Sequence, residues 1–457
     1  MASGDAPLTD LSNNTSAMAT STLEIPRPVG IQSFKNALAL RCEGGFVSTL
    51  ITQLILLGLG TFTGVASARL LGPLGRGELA ALILWPSVLV MLFSMGVNQA
   101  IVFHVGQNRD SVSEVWTATI LIGLVQSLCV ILVGLVVVPL ALHRYSPEVR
   151  HLALVFLFST PFLLFSGYPA NLLQGRLDFP SFNLIRTIAP LLYALGLLVL
   201  LRGKASLRDV VAIQILGYVV AVVGGCSILL RRERLRLRWQ KRVMSSLLRF
   251  GWKTQLATVT SFINQRVDQL LLSLLVGPRE LGLYVVAVTV SLALSFFPQA
   301  AGMVTLAAGS NLPPEGARAV IVSQFRTSLV WLVAGSSALF AVAPWLITRV
   351  FGPSFMNSGL ACRILLPGSI ALGLNQVLYA GARSLDDPAL PSYSEGLATV
   401  LTCVGLYLLI PRFGFLGAAI ASTLAYTSSL VFTLALFRRR LRFSWRELLR
   451  GPFMQAS

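Results

Sequence analysis

"RLLGPLGRGELAAL", residues 69–82, returns 205 residues later as "LLVGPRELGLYVVA", residues 274–287. Gly72, Pro73 and Gly77 fall on Gly277, Pro278 and Gly282 at that one offset. Proline lacks the amide that a helix ladder needs and restricts the residue before it, so neither copy reads as an unbroken helix. Each copy instead predicts a sharp corner between two apolar helices. A second echo supports a duplication: "LLQG" and "FPSF" within residues 172–182 return as "LYAG" and "LPSY" within residues 378–393, with a five-residue insertion.

Around these corners the chain is almost continuously apolar. Of 457 residues, 55% are hydrophobic and 12% charged, with a mean hydropathy of +0.75. Soluble domains rarely reach such values, and a membrane-crossing helix needs about 20 apolar residues. The runs between residues 45 and 437 divide into twelve such stretches, six in each half. The expected fold is therefore an all-α polytopic membrane protein, with two six-helix lobes related by a pseudo-twofold axis along the membrane normal. The expected divisions are a disordered cytoplasmic tail (1–40), the N-lobe (41–230), a basic linker (231–250), the C-lobe (251–437) and a basic cytoplasmic tail (438–457).

A net charge of +18 would suit nucleic acid, but the cations are gathered at connections between apolar stretches. Residues 231–253, "RRERLRLRWQKRVMSSLLRFGWK", hold nine basic residues and one acid. Short loops rich in Lys and Arg face the cytoplasm. Counted that way, both termini are expected inside, with the linker against anionic lipid headgroups and no nucleic-acid partner. The five cysteines have no paired spacing and the three histidines no ligand-like spacing. No metal site or cofactor is expected. No connection is long enough for a catalytic domain, and no nucleotide-binding loop is present, so the chain reads as a secondary transporter or facilitator rather than an enzyme.

Polar residues inside the apolar stretches are the candidates for function. In the seventh, Thr254, Thr258, Ser261, Gln265 and Asp268 recur at helical spacing on one face, which Asn264 widens. Arg266 lies about 200° from Asp268 around the helix, so the two do not pair within it. It also lies eleven residues before Gly277, roughly 16 Å of helix, which places it near the membrane midplane. Ionised groups at that depth cost about 2.5 to 3.5 kcal/mol unless they face water, a ligand or a partner on another helix. At the same offset of 205 the other half carries Thr61 and Thr63, so the charge belongs to one lobe. Arg186 in the fifth stretch reads either as a cavity cation or as a snorkelling one. The eleventh repeats a stripe of Ser392, Glu395, Thr399 and Thr402, while Gln99, Gln299, Asn375 and Gln376 add amides suited either to sugar hydroxyls or to bonds between helices.

The paired corners, "RVDQLLLSLLVGPRELGLYVVA" (266–287), "FGPSF" (351–355) and "PRFGFLGAAIAS" (411–422) together resemble polysaccharide-synthase or O-antigen flippases of the multidrug, oligosaccharidyl-lipid and polysaccharide exporter superfamily. The resemblance spans about residues 34–441. It implies two lobes in a V, in a bacterial cytoplasmic (inner) membrane, passing a polyprenyl-diphosphate-linked glycan from the cytoplasmic to the periplasmic leaflet. It further implies coupling to H+ or Na+ and work beside a polysaccharide polymerase. Carried over, Arg266 would meet the anionic substrate and Asp268 would couple or pair charge, with Glu395 as a second such carboxylate. The alternatives are a cation-coupled multidrug exporter of the same superfamily and the peptidoglycan-precursor (lipid II) flippase, which typically carries two more spans.

Overall fold

The computed structural model describes residues 29–107, 112–203, 205–387 and 389–441. Its helices are α1 (Val29–Phe93), α2 (Val97–Gln107), α3 (Val112–Ala141), α4 (Pro147–Phe158), α5 (Thr160–Gly175), α6 (Phe179–Leu200) and α7 (Leu207–Arg232), followed by α8 (Lys241–Leu275), α9 (Pro278–Leu292), α10 (Phe296–Ser310), α11 (Pro314–Val350), α12 (Ser358–Ser384) and α13 (Ala389–Arg440). No strand occurs among the described residues.

Nine described helical stretches are long and apolar enough to cross a membrane. Two of them are double. Gly72 breaks α1 at φ 65°, ψ −175°, and Gly414 breaks α13 at φ 56°, ψ −135°, conformations that a residue with a Cβ reaches only with strain. The twelfth pass is α8, whose 35 residues give about 50 Å of helix but whose basic start and polar face dilute its hydropathy. The fold is the expected all-α one with twelve passes: spans 1 and 2 are the two arms of α1 with α2, spans 3 to 7 are α3, α4 with α5, α6, α7 and α8, spans 8 to 10 are α9 with α10, α11 and α12, and spans 11 and 12 are the arms of α13.

Boundaries differ from expectation at the ends of elements. Helix α1 starts at Val29, inside the stretch expected as a tail, because residues 31–40 carry no helix breaker. Residues 1–28 and 442–457, which hold the rest of both expected tails, lie outside the described residues. Of the basic linker, Arg231 and Arg232 end α7, residues 234–240 carry no regular secondary structure, and α8 takes up the chain at Lys241. Backbone amides of Arg236 and Arg238 donate to Ser113 Oγ and Thr117 Oγ1, which lays the linker along the start of α3.

Packing differs between the two membrane faces. On the face that carries the Gly-Pro corners, one apolar cluster crosses both lobes and includes Leu79, Leu82, Leu281, Tyr284, Val286 and Phe355. Towards the linker face it divides into a cluster around Ile101, Trp116, Leu173 and Leu247 and a separate one around Ile321, Phe325, Leu378 and Phe437. Burial of apolar side chains gives about 25 cal/mol per Å² where the reference state is water. The lobes are thus sealed by packing at the corner face and hold separate cores at the linker face.

One seam stays closed along its whole length. Span 2 runs antiparallel to α8, with Trp85 Nε1 donating to Ser273 Oγ (3.1 Å), Gln255 Nε2 to the Met91 carbonyl (2.6 Å) and His104 Nε2 paired with Ser246 Oγ (2.7 Å). Phe103 stacks on Phe250 at 4.2 Å, and the backbones of Gly96 and Gly251 touch. The amphipathic start of α8 is therefore fastened to the N-lobe, while its second half enters the C-lobe.

Candidate functional site

The polar residues of α8 reach their places because the helix runs unbroken from Lys241 to Leu275. Asp268 is buried at 5% exposure. Tyr284 donates its hydroxyl to Asp268 Oδ2 (2.5 Å), and the backbone amide of Gln269 donates to Oδ1 (2.7 Å). Tyr284 sits at the position where α9 faces α8, and its oxygen also lies 3.3 Å from Ser422 Oγ on span 12. A buried carboxylate needs such partners, because desolvation otherwise penalises its charge.

Arg266 is exposed to the interior space and donates from Nη1 to Gln269 Oε1 at 3.2 Å. Among the described ion pairs none includes Arg266 or Asp268. The arginine is thus held by a neutral neighbour three residues on, and its charge is directed into a cavity. This matches its position off the Asp268 face.

A cavity of ≈730 Å³ occupies the C-lobe side. Gln265, Arg266, Asp268 and Gln269 line it from α8, Gln299 from α10, Gln376, Tyr379 and Arg383 from α12, Glu395 from span 11 and Tyr426 from span 12. Thr49, Leu50 and Gln53 of span 1 close it from the N-lobe. It runs from Asp268 and Tyr284, under the corner seal, to Arg383 and Glu395 near the linker-face ends of their helices. The structure thus brings together Arg266, Gln265, Gln299, Gln376, Asp268 and Glu395 of the expected set.

Arg186 lines a second cavity of ≈520 Å³ within the N-lobe, beside Tyr193, Gln214 and Tyr218. Its guanidinium lies 5.0 Å from the Phe182 ring centroid and donates to Gln53 Oε1 at 3.4 Å. Gln99 lines none of the cavities described here, and its neighbour Asn98 accepts from Asn171 Nδ2 at 2.8 Å. Asn375 is buried at 2% exposure and donates to Ser429 Oγ, which makes it a link between helices. The side chain of Asn264 lies outside the described ones. Thr63 lines the N-lobe cavity, opposite the charged lobe.

Sequence reading missed Gln269, Tyr379, Arg383 and Tyr426 of the C-lobe cavity, and it missed Arg76. That last arginine looks like part of the corner motif, yet the helix resumes directly after Gly72, so Arg76 already lies inside span 2 and lines a cavity of ≈390 Å³ between the lobes. Arg266 and Gln269 line that cavity too, and Tyr193 and Gln214 join it to the N-lobe one. Four cationic side chains line the three spaces: Arg186 the N-lobe cavity, Arg76 and Arg266 the one between the lobes, and Arg266 with Arg383 the C-lobe one.

Two lobes of six spans around a polar, cation-bearing interior define a two-lobe polytopic membrane protein. A family described as polysaccharide biosynthesis protein matches residues 42–307, more than half of the chain, and the chain belongs to that family. An uncharacterised membrane protein of Methanocaldococcus jannaschii is 25% identical over 227 residues, 48% of this chain. The chain spans 44% of that relative's length. Among solved structures, the lipid II flippase MurJ in an inward closed conformation superposes with a TM-score of 0.73 at 15% identity, over 88% of this chain and 89% of that one. An inward-facing multidrug resistance MATE transporter superposes at 0.69 and 14% identity, over 87% and 98% of the two chains. These likenesses establish the shared fold.

Proposed function

We propose that the protein carries a polyprenyl-diphosphate-linked oligosaccharide from the cytoplasmic to the periplasmic leaflet of a bacterial inner membrane by alternating access. The observation that carries this reading is the cavity of ≈730 Å³ sealed at the corner face, whose lining combines Arg266 with the amides of Gln265, Gln299 and Gln376. A guanidinium suits a diphosphate and amides suit sugar hydroxyls. With both termini in the cytoplasm, as the basic connections favour, the linker face is cytoplasmic and the cavity is charged from that side. Asp268, buried beside Tyr284, is the carboxylate for coupling to H+ or Na+, and Glu395 supplies a second charge near the cavity mouth. The polymerase that extends the exported glycan would act on the far side.

Deletion of the gene in its host tests this reading. Lipid-linked oligosaccharide should accumulate in the cytoplasmic leaflet while cell-wall synthesis continues, and absence of accumulation overturns the proposal. A second reading, export of cationic amphiphiles, draws on Asp268, Glu395, Tyr379 and Tyr426 lining the same cavity. Tight binding of cationic dyes to the purified protein would favour it.

A further inference from the structure

Each corner motif carries one acid, and the two meet different fates. In the second copy, Glu280 Oε2 accepts from the Phe415 amide at 3.2 Å and so caps the chain where Gly414 breaks α13. In the first copy, Glu78 is half-buried in the opening turns of span 2 and makes no described hydrogen bond or ion pair. The described charge that bears on it is a like one, that of Glu148 in the first turn of α4. A carboxylate drawn out of water needs donors or a counter-charge, and Glu78 has neither among the described residues.

Tyr145 adds a second unanswered group at the same place. It stands in the turn between α3 and α4, is 4% exposed, and its hydroxyl is buried with no described partner. That hydroxyl lies within electrostatic reach of Glu78, yet no described hydrogen bond joins the two. Leu79, Leu142, Tyr145 and Val149 belong to one apolar cluster, which packs span 2, the turn and α4 together around the pair. Water could bridge hydroxyl and carboxylate, but it would leave Glu78 and Glu148 repelling each other. Arg208 pairs with Glu148 at 2.8 Å with both side chains mostly exposed, where an ion pair contributes little, and it gives Glu78 nothing. A divalent cation answers both carboxylates at once. Two carboxylates and a hydroxyl are an all-oxygen set, which suits Mg2+ or Ca2+; Mg2+ in particular binds through one or two carboxylates and keeps several of its waters, one of which can donate to Tyr145.

We propose that Glu78, Glu148 and Tyr145 form a seat for a hard divalent cation, Mg2+ or Ca2+, at the corner face between span 2 and the start of α4. The seat lies at the base of the turn that carries Arg144, whose guanidinium reaches the Leu275 carbonyl of α8 at 2.7 Å, so an occupied seat steadies a contact between the lobes. It does not depend on what the cavities carry.

The test uses the full chain purified in detergent and stripped with a chelator, then titrated with Mg2+, Ca2+ and the luminescent stand-in Tb3+. Mg2+ or Ca2+ should bind between about 0.1 and 1 mM, as in extracellular calcium modules, and should raise the melting temperature at an ionic strength where NaCl does not. Affinity follows ligand charge, so Glu78→Gln should weaken binding at least about tenfold, and Glu148→Gln and Tyr145→Phe about threefold each. Tyr145→Phe should also dim Tb3+ emission excited through tyrosine at saturating Tb3+. Glu78→Gln removes a repulsion from the metal-free chain, so its melting temperature in chelator should equal or exceed that of the wild type, which separates loss of the seat from loss of the fold. An equal rise in melting temperature with NaCl assigns the effect to screening and overturns the seat. An unchanged divalent response in Glu78→Gln overturns it as well. Should Glu78→Gln fail to reach the membrane, Tyr145→Phe carries the test, and wild-type Tb3+ emission in that variant overturns the seat.

Discussion

Gly77 and Gly282 meet backbone to backbone across the two lobes. A Cβ on Gly77 would stand 2.8 Å from the amide nitrogen of Gly282, and one on Gly282 would stand 2.9 Å from that of Gly77. The same two hypothetical atoms would fall 1.6 Å from the Pro278 carbonyl oxygen and 2.0 Å from the Pro73 one. Carbonyls cannot yield as a flexible side chain does.

Gly77→Ala and Gly282→Ala should therefore each prevent closure of the corner face. Overpacking of this kind costs about 1 to 3 kcal/mol or more, enough to shift the closed-to-open ratio at least about fivefold. Gly58→Ala, where nothing lies within 4 Å, serves as the control. Thiol accessibility at Leu79→Cys, a position buried in the closed corner face, should rise in the first two variants and stay at the wild-type level in the third.

Two arginines latch the same face through helix ends. Arg69 donates from Nε to the Val350 carbonyl (2.6 Å) and from Nη2 to the Arg349 carbonyl (2.5 Å), at the C-terminus of α11. Arg144 donates to the Leu275 carbonyl (2.7 Å) at the end of α8. Cations at helix C-termini contribute about 0.3 to 1 kcal/mol each. Arg69→Ala and Arg144→Ala should each raise corner-face accessibility a few-fold, and together by about tenfold, in the same thiol assay.

Tyr284→Phe removes the hydroxyl that Asp268 accepts from, without changing the ring. A hydrogen bond to a charged group contributes about 1.5 to 3 kcal/mol, so transport should fall between about tenfold and a hundredfold. Asp268→Asn should fall at least as far and should lose its dependence on the membrane proton or sodium gradient. Wild-type gradient dependence in Asp268→Asn would remove the carboxylate from coupling. Flux into proteoliposomes with and without an imposed gradient is the measurement.

Arg266→Ala should abolish glycolipid transport while the protein remains in the membrane, because its one described side-chain bond is to Gln269 and no fold contact depends on it. Arg69→Ala acts through the seal instead and should leave substrate affinity at its wild-type value. Comparing binding of a lipid-linked glycan in the two variants separates a cavity charge from a latch.

The duplication, the corners and the number of passes were legible because they rest on glycine, proline and hydropathy, which act locally. The α8 stripe was legible because helical periodicity carries it, and Gln265, Asp268 and the off-face Arg266 all reach the interior. Arg76 was not legible: its depth depends on how abruptly the chain re-enters helix after Gly72. Asn375 and Gln99 look alike as amides in apolar stretches, yet one is bonded to Ser429 and the other lines none of the cavities described. Only the packing of neighbouring spans separates the two cases.

The contacts at the corner are reciprocal, Gly77 against Pro278 and Gly282 against Pro73, which is how two identical subunits meet about a twofold axis. Because that closure is made of main chain, it places little demand on the side chains around it. One half carries Arg266 and Asp268 where the other has Thr61 and Thr63, with the backbone contact between them intact. The twofold relation of the halves lies in the backbone, and their asymmetry lies in the side chains.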